Sequence, residues 1–346
     1  MITNDKNHKL LELEIEKYFD SKINKALNNR SSELILSLKE LILRGGKRSR
    51  PALFFLTLDA YGATNTDDHI KLAMSLELYH QFLLIHDDII DKDYIRYGGP
   101  NISGYYEKEF KLLDESVPDS MALLAGDLLF SYVYEIISKD SSINSDMKLD
   151  MLSLFSEINE SVVFGQQLDT LNVKSLGSEI NQTGLINIHS LKTAPYSVEL
   201  PMQMVGIILN LDASEIKTIH EFANNFGIYY QLMDDYSDYF VNKSLFNNRQ
   251  KYRDYKQGRI TCPYIYGMQS ASYSDKKNLE NSFGNKDLTN QEMKNILLIL
   301  KRNTSDIQSK ELIDKYLALT KNSLNKMKIN KYYKDIFLSM ISQFET

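Results

Sequence analysis

Apolar residues recur at helical spacing along most of the chain. Leu34, Leu38, Leu41 and Ile42 show the pattern well, because positions i, i+4, i+7 and i+8 lie on one face of a helix. No segment shows the sustained strict alternation that a half-buried strand would give. The pattern predicts long helices over 73–90, 121–137, 147–168, 213–238, 290–300 and 310–327. The intervening loops are expected over 96–101, 172–184, 241–258 and 272–289.

The composition supports an all-α fold. The 346 residues include 15 Gly and 6 Pro, and so few helix breakers favour long helices over a turn-rich β architecture. No shift in composition and no low-complexity linker divides the chain. A single domain over residues 1–346 is therefore predicted.

The charge and the cysteine count exclude several classes of function. A net charge of −6 provides no global basic field, so no nucleic-acid partner is expected, and an anionic ligand would need a local group of cations. The single cysteine, Cys262, rules out an intramolecular disulfide and any zinc site built from several cysteines. The first residues are charged and no run approaches the length of a spanning helix, so a cytoplasmic protein without stable membrane insertion is expected.

Two acidic motifs interrupt apolar helical segments. In LLIHDDIIDKD (83–93) and YQLMDDYSD (230–238) the acids repeat at identical spacing, as Asp87, Asp88, Asp91 and as Asp234, Asp235, Asp238. Positions i and i+4 share a helix face, where like charges repel unless something neutralises them. Mg²⁺ does so with carboxylate oxygens, water and substrate phosphate. A solvated acidic face is the alternative, but two copies that both follow apolar stretches favour metal binding.

Candidate phosphate-binding cations lie near these acids in the sequence. GGKRSRP (45–51) supplies Lys47, Arg48 and Arg50 after two glycines, and KTAP supplies Lys192 beside Thr193. Arg96, Arg249 and Arg259 follow one or the other acidic motif. Taken alone, the first motif could be a basic turn at a helix start, and a lone Lys is more often a solvated surface residue. Together, acids for Mg²⁺ and cations for phosphate oxygens indicate a diphosphate site.

In this order and spacing, the motifs resemble those of the trans-isoprenyl diphosphate synthases, or polyprenyl synthetases. The motifs that carry the resemblance are GGKRSRP, HDDIID with Arg96, AGD (125–127), GQQLD (165–169), KTA, YQLMDDYSD and GRITCP. They span roughly residues 35 to 270. The resemblance implies a single-domain isoprenoid synthase bundle of long helices around a central apolar cavity, commonly a homodimer. It also implies condensation of an allylic diphosphate with isopentenyl diphosphate, with three Mg²⁺ ions per active site when substrate is bound.

The resemblance assigns roles residue by residue. The implied metal ligands are Asp87, Asp88, Asp91, Asp234, Asp235 and Asp238, and the implied catalytic set is Asp87, Asp88, Asp91, Lys192, Asp234 and Asp235. Contact with the allylic diphosphate is implied for Arg96, Lys192, Thr193, Gln231, Arg249 and Arg259. Isopentenyl diphosphate would meet Lys47, Arg50 and His80.

The chain departs from the family pattern at three positions. Tyr97 stands where a second Arg is usual, so isopentenyl diphosphate is expected to bind more weakly than it would with an arginine at this position. Arg249 and Arg259 stand where Lys is usual, and the two side chains are not equivalent phosphate ligands.

The resemblance also bears on product length. Phe82 lies five residues before Asp87, about 7.5 Å along the helix at roughly 1.5 Å per residue, where an aromatic ring restricts the product to short chains. Because Leu83 is not aromatic, a C20 product is expected, with C15 as the nearest alternative.

Two other functions remain open at this point. A terpene cyclase on the same fold would ionise an allylic diphosphate without a second substrate. A non-catalytic regulatory subunit of a heteromeric synthase would have little reason to keep both acidic motifs. Retention of Lys47, Arg50 and His80 favours the synthase over the cyclase.

Overall fold

The computed structural model describes residues 5–110, 114, 116–173, 181–241 and 251–344. These residues are almost entirely helical, which confirms the all-α fold class. The α-helices, in chain order, are α1 (Asp5–Asn24), α2 (Asn29–Leu43), α3 (Ser49–Ala60), α4 (Ile70–Asp91), α5 (Ile102–Phe110), α6 (Val117–Lys139), α7 (Ser145–Leu171), α8 (Gln182–Lys192), α9 (Leu200–Ile208), α10 (Ala213–Phe240), α11 (Arg253–Gln257), α12 (Cys262–Ser270), α13 (Tyr273–Ser282), α14 (Asn290–Arg302), α15 (Ser305–Lys326) and α16 (Lys331–Ser342).

Four short elements accompany these helices. A 3₁₀ turn covers Thr66–His69, and a π-helical turn covers Pro195–Glu199. The strands β1 (Ile95–Arg96) and β2 (Gly99–Pro100) form an antiparallel hairpin in which Ile95 pairs with Pro100 and Arg96 with Gly99. π-Helical turns occur frequently at functional sites, and this one follows the KTA motif directly.

The chain forms two compact units. The first comprises Met1–Phe155 with Met204–Asn210, and the second comprises Ser156–Gln203 with Leu211–Thr346. The first acidic motif and the basic GGKRSRP motif belong to the first unit. The KTA motif and the second acidic motif belong to the second. A single domain over residues 1–346 stays a prediction.

In the first unit, α4 packs closely on α6. The N-terminal half of α4 is mostly apolar and is buried from Leu72 to Tyr79, as expected of a core helix. Gly126 of the AGD motif permits the close approach of the two helices, because a Cβ there would lie 2.3 Å from Nε2 of His86. This packing fixes the helix that carries the first acidic motif.

In the second unit, α10 packs on α15 and on the π-helical turn. Helix α10 begins at an N-cap, where the Asp212 side chain accepts a hydrogen bond from the backbone N–H of Glu215 at 3.0 Å. Gly227 lets the KTA segment approach, because a Cβ there would lie 2.3 Å from Cβ of Ala194. The second acidic motif is therefore carried by the C-terminal third of a long, anchored helix.

The six long helices predicted from periodicity are confirmed as parts of α4, α6, α7, α10, α14 and α15. The predicted loop over 272–289 is wrong, because α13 occupies most of it. The side chain of Ser272 caps that helix by accepting from the Asp275 N–H, and its sequence is so polar that only Asp275 and Leu279 are buried. The predicted loop over 96–101 is also wrong in part, since it contains the hairpin.

One described helix, α6, is long and apolar enough to cross a membrane by length and composition. This differs from the expectation that no segment reaches that length. Core helices pass the same test, and α6 packs on α4 and α5. The finding is therefore weak evidence for a membrane span.

Candidate active site

The basic motif forms the turn between α2 and α3, and a buried arginine holds that turn in place. Arg48 is 3% exposed and has a left-handed φ of 46°. Its guanidinium donates to Glu77 Oε1 at 2.7 Å and to Glu12 Oε1 at 2.6 Å, and also to the carbonyls of Ile42 and Gly45. Lys47 is exposed and Arg50 is half-buried in the first turn of α3. Arg48 is thus a structural support, and its two neighbours remain candidate ligands.

His80 of α4 lies within the field of three arginines. Burial holds the pKa of His80 well below its ordinary value, and the positive charges of Arg50, Arg96 and Arg48 lower it further. The imidazole is therefore neutral at physiological pH. Two of these guanidinium groups already have carboxylate partners, Arg48 in Glu12 and Glu77 and Arg96 in Asp88. Arg50 and His80 are therefore the candidate anion ligands at this place.

The first acidic motif contains acids in two different environments. Asp88 is 2% exposed. Its carboxylate accepts from Arg96 Nε at 3.1 and 2.9 Å, also from Arg96 Nη2, and from Asn101 Nδ2 at 2.9 Å. Burial raises the pKa of Asp88 even though Arg96 opposes the shift. Asp87 and Asp91 are partly exposed and lie one turn apart on α4, so these two are better placed to meet a ligand.

The second acidic motif repeats this division of roles. Asp235 is 4% exposed; its Oδ1 accepts from Gln231 Nε2 at 3.3 Å, and its Oδ2 lies 3.3 Å from Nε2 of the buried His189. Asp234 is partly exposed. Asp238 accepts from the backbone N–H groups of Arg253 and Asp254, each at 3.3 Å. Burial raises the pKa of Asp238 to about 7, with a further contribution from the negative charge of Asp254.

The cations of the second unit converge on a residue that the sequence did not assign to the site. Lys192 Nζ donates to Asp169 Oδ2 at 2.6 Å, and Arg259 Nη1 donates to the same oxygen at 3.3 Å. Burial alone would raise the pKa of Asp169, but the two cations hold it below its ordinary value. Asp169 ends the GQQLD motif, which is part of the family pattern, and that motif is the sequence signal that points to it.

The other predicted ligands of the second unit lie close by. Thr193 Oγ1 donates to Gln231 Oε1 at 3.2 Å, which joins the KTA segment to α10. Gly165 of GQQLD allows α7 to approach Lys192, since a Cβ there would lie 2.4 Å from the Lys192 backbone nitrogen. Arg249 lies outside the described residues, so its assignment stays a prediction.

Comparison with known protein families identifies the family to which this chain belongs. A family model described as polyprenyl synthetase matches residues 32–300. The chain belongs to the polyprenyl synthetase family. The resemblance seen in the motifs is confirmed, as is the predicted enzyme class of prenyltransferase.

Curated relatives of this polyprenyl synthetase differ in the products that their names give. A short chain isoprenyl diphosphate synthase of Methanothermobacter thermautotrophicus is 27% identical over 78% of this chain and 77% of its own. The farnesyl diphosphate synthase of Micrococcus luteus is 30% identical over 66% of this chain and 75% of its own. The geranylgeranyl diphosphate synthase of Saccharolobus solfataricus is 25% identical over 88% and 87%.

The family fold is seen in solved structures. A geranylgeranyl pyrophosphate synthase of Corynebacterium glutamicum, complexed with isoprenyl diphosphate and magnesium, superposes with a TM-score of 0.88 over 99% of each chain. At 20% identity this similarity shows a common all-α isoprenoid synthase fold.

The acidic motifs of this polyprenyl synthetase suit Mg²⁺, which completes its coordination with water and substrate, better than a metal ion that is bound by protein side chains alone. Within the described ranges, no group of three or more His, Cys, Asp or Glu side chains comes together as a complete metal site. Mg²⁺ commonly takes only one or two carboxylates and completes its shell with water and substrate phosphate. The partly exposed Asp87, Asp91 and Asp234 match that requirement.

Proposed function

We propose that the protein is a short-chain prenyl diphosphate synthase that condenses an allylic diphosphate with isopentenyl diphosphate. The observation that carries this proposal is the arrangement of α4. Asp87 and Asp91 are partly exposed one turn apart, and His80, close to the charge of Arg50, lies about two helical turns before Asp87. A candidate anion site and a candidate Mg²⁺ site would therefore share one helix. A cyclase, which uses a single diphosphate, has no need of the anion site.

The carboxylates of Asp87, Asp91, Asp234 and Asp238 would hold Mg²⁺ against the allylic diphosphate. Bound Mg²⁺ would neutralise the negative charge that develops on the departing diphosphate. Asp88 and Asp235 would act by orienting their neighbours, because both are buried and already bonded to side-chain donors. We propose three such ions when substrate is bound, the number that the family resemblance implies.

The chain's cations would stabilise the leaving group during ionisation. As the allylic C–O bond breaks, its electron pair stays on the diphosphate oxygen, which Lys192, Arg259 and Arg96 would contact. The double bond of isopentenyl diphosphate then forms the new C–C bond, and the proton lost from that unit passes to the released diphosphate. In the structure, Asp169 pairs with Lys192 and Arg259, and Asp88 pairs with Arg96.

We further propose a C20 product, with C15 as the alternative. The ring of Phe82 would limit the product length by closing the end of the cavity into which the prenyl chain grows, and we call this ring the floor. Phe82 is 7% exposed and its ring stacks on Phe130 of α6, with ring centroids 4.8 Å apart and an interplanar angle of 27°. Tyr79 lies against both rings, at 5.8 and 6.2 Å. A stacked pair is harder to displace than one ring, so the floor is stiff.

Replacing Phe82 by Ala should lengthen the product, because it opens space below the growing chain. Phe130→Ala should lengthen it less, since Phe82 would remain but lose its stacking partner. Chromatography of the dephosphorylated products measures both effects, with Phe55→Ala on α3 as a matched core control. An unchanged product from Phe82→Ala would place the floor elsewhere.

A homodimer is also proposed. Leu123 and Leu124 of α6 are 49% and 54% exposed, and adjacent exposed leucines on an apolar helix favour contact with a second copy. Leu124→Glu should shift the sedimentation coefficient towards that of a monomer. The same change at Leu27, which is 93% exposed between α1 and α2, should not. A wild-type protein that sediments as a monomer would contradict the proposal.

Turnover with and without isopentenyl diphosphate tests the proposed function. A synthase consumes the allylic diphosphate only when both substrates are present and releases a longer prenyl diphosphate. A cyclase would consume the allylic substrate alone and release a hydrocarbon or alcohol. A regulatory subunit would consume neither, and either result would overturn the proposal.

A further inference from the structure

A buried chain of hydrogen bonds ends at Tyr97, the residue that replaces the family's usual arginine. Arg48 donates to Glu77 Oε1 at 2.7 Å, Gln81 Nε2 donates to the same oxygen at 2.9 Å, and Gln81 Nε2 also lies 3.2 Å from the Tyr97 hydroxyl. Arg48, Glu77 and Gln81 are each at most 3% exposed. The position of the phenol is therefore fixed from inside the protein.

The donors and acceptors in this chain of hydrogen bonds determine whether the phenol hydroxyl can donate to a ligand. A carboxylate only accepts hydrogen bonds, so the group of Gln81 that faces Glu77 must be the amide nitrogen. The same nitrogen then donates its second hydrogen to the phenol oxygen, which leaves the phenol's own proton for another acceptor. No acceptor for that proton is seen within the described part of the chain.

The phenol is also protonated at neutral pH. Burial raises the pKa of Tyr97, and the charge of Glu77 raises it further, against the lowering effect of Gln81. The hydroxyl is therefore a neutral donor with a fixed direction.

The hairpin places this donor beside the basic turn. Tyr97 has a left-handed φ of 54° and forms the two-residue turn with Gly98, whose φ is 76°. Arg44 Nη1 donates to the carbonyl of Pro100 at 2.6 Å and holds the hairpin against the end of α2. A Cβ at Gly46 would lie 3.6 Å from the Tyr97 hydroxyl oxygen, so the phenol reaches the backbone just before Lys47.

We infer that Tyr97 is a binding residue for isopentenyl diphosphate, and that its phenol O–H donates to a phosphate oxygen of that substrate. The inference rests on the proposed function. It gives Tyr97 a positive role where the family pattern alone suggests a missing cation. Compared with the arginine of the family pattern, Tyr97 keeps a hydrogen-bond donor at this position but lacks the positive charge.

Two substitutions separate this role from simple packing. Tyr97→Phe keeps the ring and loses the donor, whereas Tyr97→Arg loses the ring and keeps donors. If the phenol binds substrate, Tyr97→Phe should raise the KM for isopentenyl diphosphate roughly 5- to 10-fold, the effect of about one hydrogen bond. The KM for the allylic substrate should stay within about twofold, and Tyr97→Arg should have a KM for isopentenyl diphosphate no higher than wild type.

Tyr332→Phe is the matched control, because Tyr332 is 67% exposed on α16. A wild-type KM for isopentenyl diphosphate in Tyr97→Phe would overturn the inference, and a raised KM in Tyr97→Arg alone would assign the ring to packing. Wild-type protein that does not turn over the two substrates would instead remove the proposed function, and the inference with it.

Discussion

The two acidic motifs share a spacing but not a chemical environment. In the first, the buried Asp88 faces a guanidinium, Arg96, in a two-oxygen contact that Asn101 completes. In the second, the buried Asp235 faces the amide of Gln231 and the imidazole of His189. The first motif thus carries a permanent counter-charge, whereas the second balances its buried acid mainly with polar groups. Repeated spacing identifies two similar tasks, and the partners decide how each is supported.

The last acid of each motif differs as well. Asp91 is the final residue of α4, just before Lys92 in a left-handed conformation. Asp238 lies inside α10 and accepts backbone N–H groups from the start of α11, close to Asp254. The last acid of the second motif is therefore more enclosed than that of the first and lies close to another carboxylate, Asp254.

The largest expected effect comes from the acids that the two motifs hold in common. Asp87→Ala and Asp234→Ala should each reduce kcat by orders of magnitude, because metal-assisted charge stabilisation supplies several kcal/mol. Steady-state kinetics measures the loss, and circular dichroism checks that the fold is kept. Asp150→Ala, at an exposed position of α7, is the control. Near-wild-type rates in either variant would mean that its motif is a dispensable copy.

A smaller effect should separate the two buried acids. Asp88→Asn leaves Arg96, whose side chain is 15% exposed, without its counter-charge, and breaking a buried pair costs about 3–5 kcal/mol. Asp235→Asn keeps an oxygen for Gln231 and should cost under about 2 kcal/mol. Urea denaturation gives both free energies of unfolding. Equal decreases in the free energy of unfolding for the two variants would mean that Asp88 and Asp235 are supported in the same way.

The smallest effect concerns pH. The folded-state pKa of Asp238, about 7, is above the ordinary aspartate value, so the folded protein binds more protons than the unfolded chain between about pH 4 and 7. The free energy of unfolding of the wild type should therefore fall, relative to Asp238→Asn, as pH rises through that window. Denaturation in the presence of a metal chelator measures it, with Asp150→Asn as the control. A pH-independent difference between wild type and Asp238→Asn would contradict the crowding of Asp238 and Asp254.

Local sequence predicted the parts of the molecule that depend on local periodicity. The helices that carry Asp87 and Asp234 follow from apolar spacing, and the candidate ligands follow from charges placed where burial would be costly. What escaped prediction depends on contacts between distant segments. The pairing of Arg259 with Asp169 joins residues 90 apart. The GQQLD motif draws attention to Asp169, but the local sequence does not say which cation it meets. Helix α13 was missed for a different reason, since its stability comes from a cap and two buried residues rather than from an apolar stripe.

The rate of prenyl chain elongation as a function of Mg²⁺ concentration tests the central claim most directly. With both diphosphate substrates present, elongation should be absent in excess chelator and should rise to saturation as Mg²⁺ is added back. Asp87→Ala and Asp234→Ala should each fail to reach the wild-type rate at any Mg²⁺ concentration. Elongation that persists in excess chelator would contradict the assignment of the two motifs to Mg²⁺.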